Sequence, residues 1–388
     1  MNTSRLLSTL PVLFSLMIPA VSIAEAPTSA YTGRVTNTQL LFDSPPASET
    51  SPPGNRPVPE LLSQYPELLQ AALGNPEAVV QAGGYPYQPN AQLWSDGAHK
   101  ERFLALPGTS TMGYTSADAF QFPIGSVTIK NFLLPLDQRT PNASLLRVET
   151  RLFVLFPTGW QGYSYKWNEE QTDAALLPTT GDLLPYTVTL ESGTTEERFW
   201  AYPSRGQCFA CHTEPAGIVL GVTAAQLNWD YTHPHNGAVQ NQLEAYESIG
   251  LFGDTLPDAP LAELPFQPDY RDTTRSLETR WHSYAAINCA PCHRPGGGTG
   301  VGNMDLRWEV SPEDWNVIDV NLNRVRLPLR KRIVSGDPES SAFVGFMEDA
   351  FMPFLGVSVP DEENINLLRE YINNLEAEQP ARDYWVVQ

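Results

Sequence analysis

Cys208-Phe209-Ala210-Cys211-His212 and Cys289-Ala290-Pro291-Cys292-His293 are two copies of one five-residue pattern, and together they use all four cysteines of the chain. C-x-x-C-H is the attachment pattern of a c-type haem. Two thiols two residues apart on a helical turn can each form a thioether with one haem vinyl group, and the histidine that follows becomes the axial iron ligand. A zinc site would use two C-x-x-C pairs but gives no reason for a histidine directly after both. A dithiol redox site calls for a preceding βαβ context, which is missing. The reading therefore predicts two covalently bound haems, one on Cys208, Cys211 and His212, the other on Cys289, Cys292 and His293, with His212 and His293 on the irons.

The amino terminus reads as an export signal. Arg5 precedes an apolar run from Leu6 to Ile18, and Ser22-Ile23-Ala24 places small residues before an expected cut after Ala24. The run is too short and interrupted for a membrane span, so the mature chain is expected to be periplasmic or secreted. Formal net charge is −20, and cleavage removes Arg5 with no acid, leaving the chain more acidic still. Such a chain repels phosphate backbones, which excludes nucleic acid as a partner, and would steer a basic redox protein towards it.

Around the second motif the spacing predicts two helices. Leu277, Trp281, Tyr284 and Asn288 recur at helical intervals and lead into Cys289. Ile365, Leu368, Tyr371, Ile372 and Leu375 do the same near the C-terminus, with Asp361 after Pro360 as N-cap. Between them stands Met352, followed by Pro353, the expected sixth ligand of the second iron. Met304 follows His293 too closely to reach around a haem edge, and Met347 lacks the adjacent proline. Gly296-Gly297-Gly298 has neither the lysine nor the context of a phosphate loop.

The first motif has other neighbours. Glu197 to Pro203 reads as a strand, and helices are expected at 223–230 and 237–250. No methionine lies between His212 and Cys289. The sixth position of the first iron is left to His99, Met112, His233, His235 or Lys100, or is open. Upstream, residues 43–59 are proline-rich and read as an extended arm, with a short helix near 60–73. Strand signals accumulate from 90 to 200, notably at Ser126–Phe132, Leu145–Phe156 and Tyr186–Leu190. Two aromatic, polar stretches, 93–103 and 159–174, read either as sheet packing or as a cover for the first haem.

The order of a helix, C-x-x-C-H, a ligand loop and a closing helix over roughly the last 120 residues resembles the class I cytochrome c family. That resemblance implies Met352 ligation and a hydrogen bond from His293 to the Pro295 carbonyl. Further segments are similar to a bacterial family of secreted dihaem c-type cytochromes, some joined to quinone-cofactor sugar dehydrogenases. They are Trp94-Ser95-Asp96-Gly97, Val148-Glu149-Thr150-Arg151-Leu152, Tyr165-Lys166-Trp167-Asn168-Glu169, Ala225-Gln226-Leu227-Asn228, Asn241-Gln242-Leu243 and Gly336-Asp337-Pro338-Glu339-Ser340. With both haem motifs they span roughly residues 90–375. The resemblance implies a periplasmic redox role and supplies no catalytic residue.

The expected fold is α+β and multidomain: a β-sandwich-like N-terminal domain followed by two haem-binding α-helical cytochrome c-like modules. The expected boundaries are a signal peptide at 1–24, a Pro-rich arm and helix at 25–89, the β-rich domain at 90–200, the first haem module at 201–265 and a class I cytochrome c domain at 266–388. The expected function is electron transfer between a redox partner, such as a dehydrogenase or another cytochrome, and an acceptor. A peroxidase-like haem enzyme centred on the first haem, and an accessory binding module of a dehydrogenase complex, are the competing readings.

Overall fold

The computed structural model describes residues 27–42, 58–298, 303–326 and 329–376. The expected signal peptide and most of the expected Pro-rich arm at 43–59 lie outside these residues. Two short helices open the main body, α1 (Pro66–Ala72) and α2 (Pro76–Gln81). Each starts with a proline, whose missing N–H costs nothing at a first helical position, and Asn75 caps α2 by accepting from the Ala78 amide.

A six-stranded antiparallel sheet follows in simple meander order: β1 (Gly84–Pro86), β2 (His99–Ala105), β3 (Val127–Pro135), β4 (Leu145–Phe156), β5 (Gly159–Trp167) and β6 (Ala174–Leu176). Its strands are rich in β-branched and aromatic residues, as strands buried on at least one face require. One face buries Phe103, Ile129, Leu152, Val154, Tyr163 and Tyr165 beneath α1 and α2. A bulge between Phe132 and Leu133 shifts the β3–β4 register and turns the far end of the sheet towards a second ribbon. That ribbon, β7 (Asp182–Thr189) paired with β8 (Thr195–Tyr202), packs Tyr186, Val188, Trp200 and Tyr202 on Phe132, Leu134 and Val148.

After β8 come α3 (Arg205–Cys211), α4 (Ala224–Leu227), the hairpin β9 (Asp230–Thr232) and β10 (Val239–Asn241), and α5 (Gln242–Ser248). Their core is shared with the N-terminal half: Leu227, Leu243, Tyr246 and Phe252 pack with Tyr31, Tyr85, Leu104 and Met112. The last part holds α6 (Leu277–Asn288), the pair β11 (Asn321–Arg326) and β12 (Leu329–Lys331), α7 (Ala342–Glu348) and α8 (Glu362–Asn374). Trp281, Tyr284, Ile365, Leu368 and Tyr371 form its core with Trp315 and Ala91. Each such fully buried large side chain contributes about 2 kcal/mol of apolar burial.

This architecture corrects the expected fold class. The described residues are dominated by the six-stranded antiparallel sheet, and only α6 and α8 among their eight α-helices exceed seven residues. The two α-helical cytochrome c-like modules are not what the chain forms, and the β-rich part is one meander plus a ribbon, not a sandwich. The physical reason is clearest at 223–250. Pro234 and Gly237 (φ 75°) turn the chain there into the β9–β10 hairpin, so the expected helices shrink to α4 and α5. The individual strands at Ser126–Phe132, Leu145–Phe156 and Tyr186–Leu190, and the helices ending at Asn288 and starting after Asp361, stand where the sequence places them. Among the described residues no helix is long and apolar enough to cross a membrane.

Candidate functional site: one cavity between two C-x-x-C-H segments

The first segment is delivered by α3. Ser204 caps it, accepting from the Gln207 amide at 3.3 Å, while Gln207 Oε1 accepts from the Ser204 amide at 2.8 Å. This reciprocal box fixes where the helix begins, and Cys208 and Cys211 then share its last turn. The helix passes over β5 at Gly162, where an added Cβ would stand 3.4 Å from Cys208 Sγ and from Phe153, in van der Waals contact with both. His212 stacks on Phe153, ring centroids 4.6 Å apart, and its Nδ1 is 2.5 Å from the Ile218 carbonyl. That contact holds the imidazole by Nδ1 and leaves Nε2 without a protein partner among the described residues, the arrangement of a metal-binding histidine oriented by a backbone carbonyl. Burial pushes its pKa down to about 4, with Lys130 and Arg151 adding to the effect, so the ring is neutral at physiological pH.

The second segment follows α6, whose N-cap is Ser276. Asn288, at the end of the helix, accepts from the Trp94 amide at 2.7 Å and donates to the Tyr284 carbonyl. His293 has a buried Nδ1 with no hydrogen-bond partner. The expected bond to the Pro295 carbonyl is absent among the described residues. Burial lowers the His293 pKa to about 4, reinforced by Arg332.

The two segments meet. Cys292 Sγ donates to the Ala210 carbonyl at 3.3 Å, and the Cys211 and Cys292 thiols hydrogen-bond to each other. That shared bond lowers the pKa of Cys211 and raises that of Cys292, and burial pushes Cys289 up to about 12. All four cysteines are free thiols.

Both motifs open on a single cavity of about 800 Å³, lined by Cys208, Cys211, His212, Cys289, Cys292 and His293. This is near the upper end of the ~300–1,000 Å³ range of small-molecule and cofactor sites. Leu220, Leu322, Phe343, Phe346, Phe351 and Phe354 supply much of its apolar wall. Three methionines also reach it: Met352, half-buried on the loop after α7; Met347, in α7; and Met304, only 5% exposed. The sequence argument against Met304 rested on chain distance, and the fold nonetheless returns that residue to the cavity wall. The residues present fit a haem: free paired thiols, a histidine with one nitrogen held or orphaned, and a largely apolar chamber with methionines on its wall. Among the described residues no three His, Cys, Asp or Glu side chains converge to hold a bare metal ion.

None of the sixth-ligand candidates named for the first iron lines this cavity. His99 is exposed at the start of β2, and Met112 is buried in the shared core. His233 is fully buried among Tyr31, Tyr231 and His235, and His235 Nε2 is held by the Ala30 carbonyl. Lys100 donates to the Leu93 and Ala98 carbonyls.

The sequence singles out Trp94-Ser95-Asp96-Gly97 but not its part in holding the Met352 loop. Asp96 accepts from the Ser358 amide (2.7 Å), the Val359 amide (2.9 Å) and the Ser358 hydroxyl (2.7 Å), and Trp94 Nε1 donates to the Val359 carbonyl. The Trp-Ser-Asp-Gly stretch therefore clamps the loop carrying Met352. The other aromatic stretch splits: Trp167 packs in the sheet core, donating to Thr150, while Lys166 pairs with Asp182 on the surface. Compared with known protein families, curated proteins and solved structures, the chain has no match.

Proposed function

We propose that this chain is an exported dihaem c-type cytochrome of the secreted bacterial kind, which passes electrons between a redox protein partner and an acceptor. Cys208, Cys211 and His212 would hold one haem and Cys289, Cys292 and His293 the other, with Met352 as sixth ligand of the second. The observation that carries the reading is that both C-x-x-C-H segments face one apolar cavity and touch through Cys211 and Cys292. A bound haem supplies a one-electron couple whose potential follows its axial ligands and its burial. The protein's part is to fix the two histidines as neutral bases, exclude water with the phenylalanine wall, and keep both groups within one chamber. The acidic surface suits a basic partner such as a periplasmic dehydrogenase or another cytochrome.

The test is production of the full chain in a host that attaches c-type haem. Two haems per chain by intact mass, and one in the Cys289→Ala/Cys292→Ala variant, are expected; a wild-type chain that matures without covalent haem refutes the proposal.

A second reading is favoured by one observation: every sixth ligand named for the first iron lies away from the cavity. An open first site would make the chain a peroxidase-type haem oxidoreductase fed through the second. Peroxide or carbon monoxide should then change the spectrum of one haem, whereas two low-spin signals that ignore both would remove this reading.

A further inference from the structure

On the cavity side of the sheet, three cations stand in direct register on adjacent strands: Arg102 on β2 faces Lys130 on β3, which faces Arg151 on β4. Like charges directly opposite one another destabilise a sheet, and the chain as a whole has 44 acids to 24 Lys and Arg. Yet among the described residues a single carboxylate pairs with the row. Glu149 takes two bonds from Arg151 (2.7 and 2.8 Å) and one from Trp200 Nε1 (3.0 Å). Arg102 has only the neutral Gln92 oxygen for one nitrogen, and its Nη1 is buried without a partner. The ammonium of Lys130 has no acceptor among the described residues, only the Phe132 ring at 4.9 Å. Burial lowers the Lys130 pKa well below its ordinary value.

Lys130 and Arg151 line the cavity, and Arg102 does not. Their position relative to the first motif is fixed by the pleat. Arg151 and Phe153 are alternate residues of β4 and share a face, and Phe153 is the ring on which His212 stacks. By contrast Arg332, the cation whose charge acts on His293, already donates to the Asn316 carbonyl and Asn303 Oδ1. A row of cations short of counter-charge, two of which line a largely apolar chamber and one of which has no acceptor among the described residues, calls for an anionic ligand group.

We propose that Lys130 and Arg151 form a carboxylate-binding subsite for the acid side chains of the haem held at Cys208 and Cys211. The inference rests on the haem attachment proposed above. A haem tethered through its vinyl edge still carries two carboxylates, and burying them is costly unless cations meet them. Arg151, already oriented by Glu149, offers its fork, and Lys130 a point charge.

The experiment compares full-length, haem-loaded wild type, Lys130→Met and Lys130→Arg by spectroelectrochemical titration from pH 5 to 9, with the iron spin state recorded. Removing the cation leaves a carboxylate uncompensated beside the iron, which favours the ferric form. One of the two midpoints is expected to fall in Lys130→Met and to gain a pH dependence, while the other midpoint is unmoved and Lys130→Arg behaves as wild type. In the haem-free full chain the same Lys130→Met change relieves repulsion with Arg102 and Arg151, so its urea midpoint should rise, the reverse of the loaded protein. Unchanged midpoints in Lys130→Met overturn the proposal. So does a low-spin haem turning high-spin, which would make Lys130 an iron ligand, or a wild-type midpoint that drifts with added acetate, which would mean that free anions occupy the subsite. Loss of haem from both Lys130 variants also overturns it, since the residue would then be needed irrespective of charge. A wild type without covalent haem is a different outcome and refutes the attachment itself.

Discussion

Cutting the Asp96 clamp should loosen the Met352 loop before it unfolds the protein. Asp96 is 7% exposed and receives three hydrogen bonds from Ser358 and Val359. Bonds to a charged acceptor contribute roughly 1.5–3 kcal/mol each. Ser358 is exposed, so its amide and hydroxyl regain water when the carboxylate is lost, and the low end applies. Three bonds at that low end make the cost of Asp96→Ala about 4.5 kcal/mol in closing the loop, and about 1 kcal/mol more comes from forcing alanine into a φ of 50°. Asp96→Asn keeps one acceptor and tolerates that φ, so about 1.5 kcal/mol is expected. The assay is limited chymotrypsin cleavage after Phe351, Phe354 or Leu355, with Phe351 and Phe354 already half-exposed. When opening is fast relative to cleavage, the rate follows the open population, so Asp96→Ala should be cut on the order of 1,000-fold faster or more and Asp96→Asn on the order of 10-fold. The urea midpoint of the whole chain should move far less. Cleavage of Asp96→Ala at the wild-type rate would refute the clamp, since Trp94 Nε1 would then suffice to hold the loop.

Glu149→Ala strips a fully buried carboxylate from Arg151 and Trp200; a loss of roughly 3–5 kcal/mol is expected from equilibrium urea unfolding, and a change under 1 kcal/mol contradicts the pairing. In oxidised, haem-free protein the Cys211–Cys292 contact should close into a disulfide joining the two motifs, visible as one cross-linked peptide that Cys292→Ser abolishes; cross-links confined within each motif would refute it. His233 is buried with a pKa lowered to about 4 from 6.5, first by burial and then by His235. Its unfolded form protonates first as pH falls, so stability is full above pH 6.5 and declines towards about pH 4; His233→Phe should flatten that decline in a pH series of thermal melts, and an unchanged slope assigns it to other groups. In the loaded protein, Met352→Leu should change the ligand-field spectrum of one iron, while Met347→Leu and Met304→Leu leave it alone; the reverse result moves the ligand to one of the other two cavity methionines.

The parts of this protein that were legible in its sequence are those written in short spacings. The thiol pairs with their trailing histidines, the helix that delivers Cys289, the helix capped by Asp361 and the long strands all depend on contacts a few residues apart. The helical modules were misjudged for the same reason. Apolar residues at 239, 243, 246 and 249 imitate a helical stripe, but Val239 is exposed in β10, and of the others Leu243 and Tyr246 sit in α5 with Ile249 as its C-cap. What decides the candidate site is long-range. Asp96 meets Ser358 across 262 positions, and Cys292 meets Ala210 across 82, distances at which local propensity carries no signal.

The cationic row shows why register, and not composition, is the informative level for this site. In the sequence Lys130 and Arg151 are two unremarkable charges, and the first helix–sheet contact, at Gly162, is one of 27 glycines. Pairing β3 with β4 places the two cations side by side, and the alternation of β4 brings Phe153 to His212 on the same face. One residue of slip would turn Lys130, Arg151 and Phe153 to the opposite face, against α1 and α2, and send Ile129, Leu152 and Val154 to the cavity side. The apolar core of the first face fixes the register, and in doing so it commits the charges to the cavity. The arrangement therefore follows from core packing, while its cost, like charges opposed beside a buried chamber, is left for a bound anion to offset.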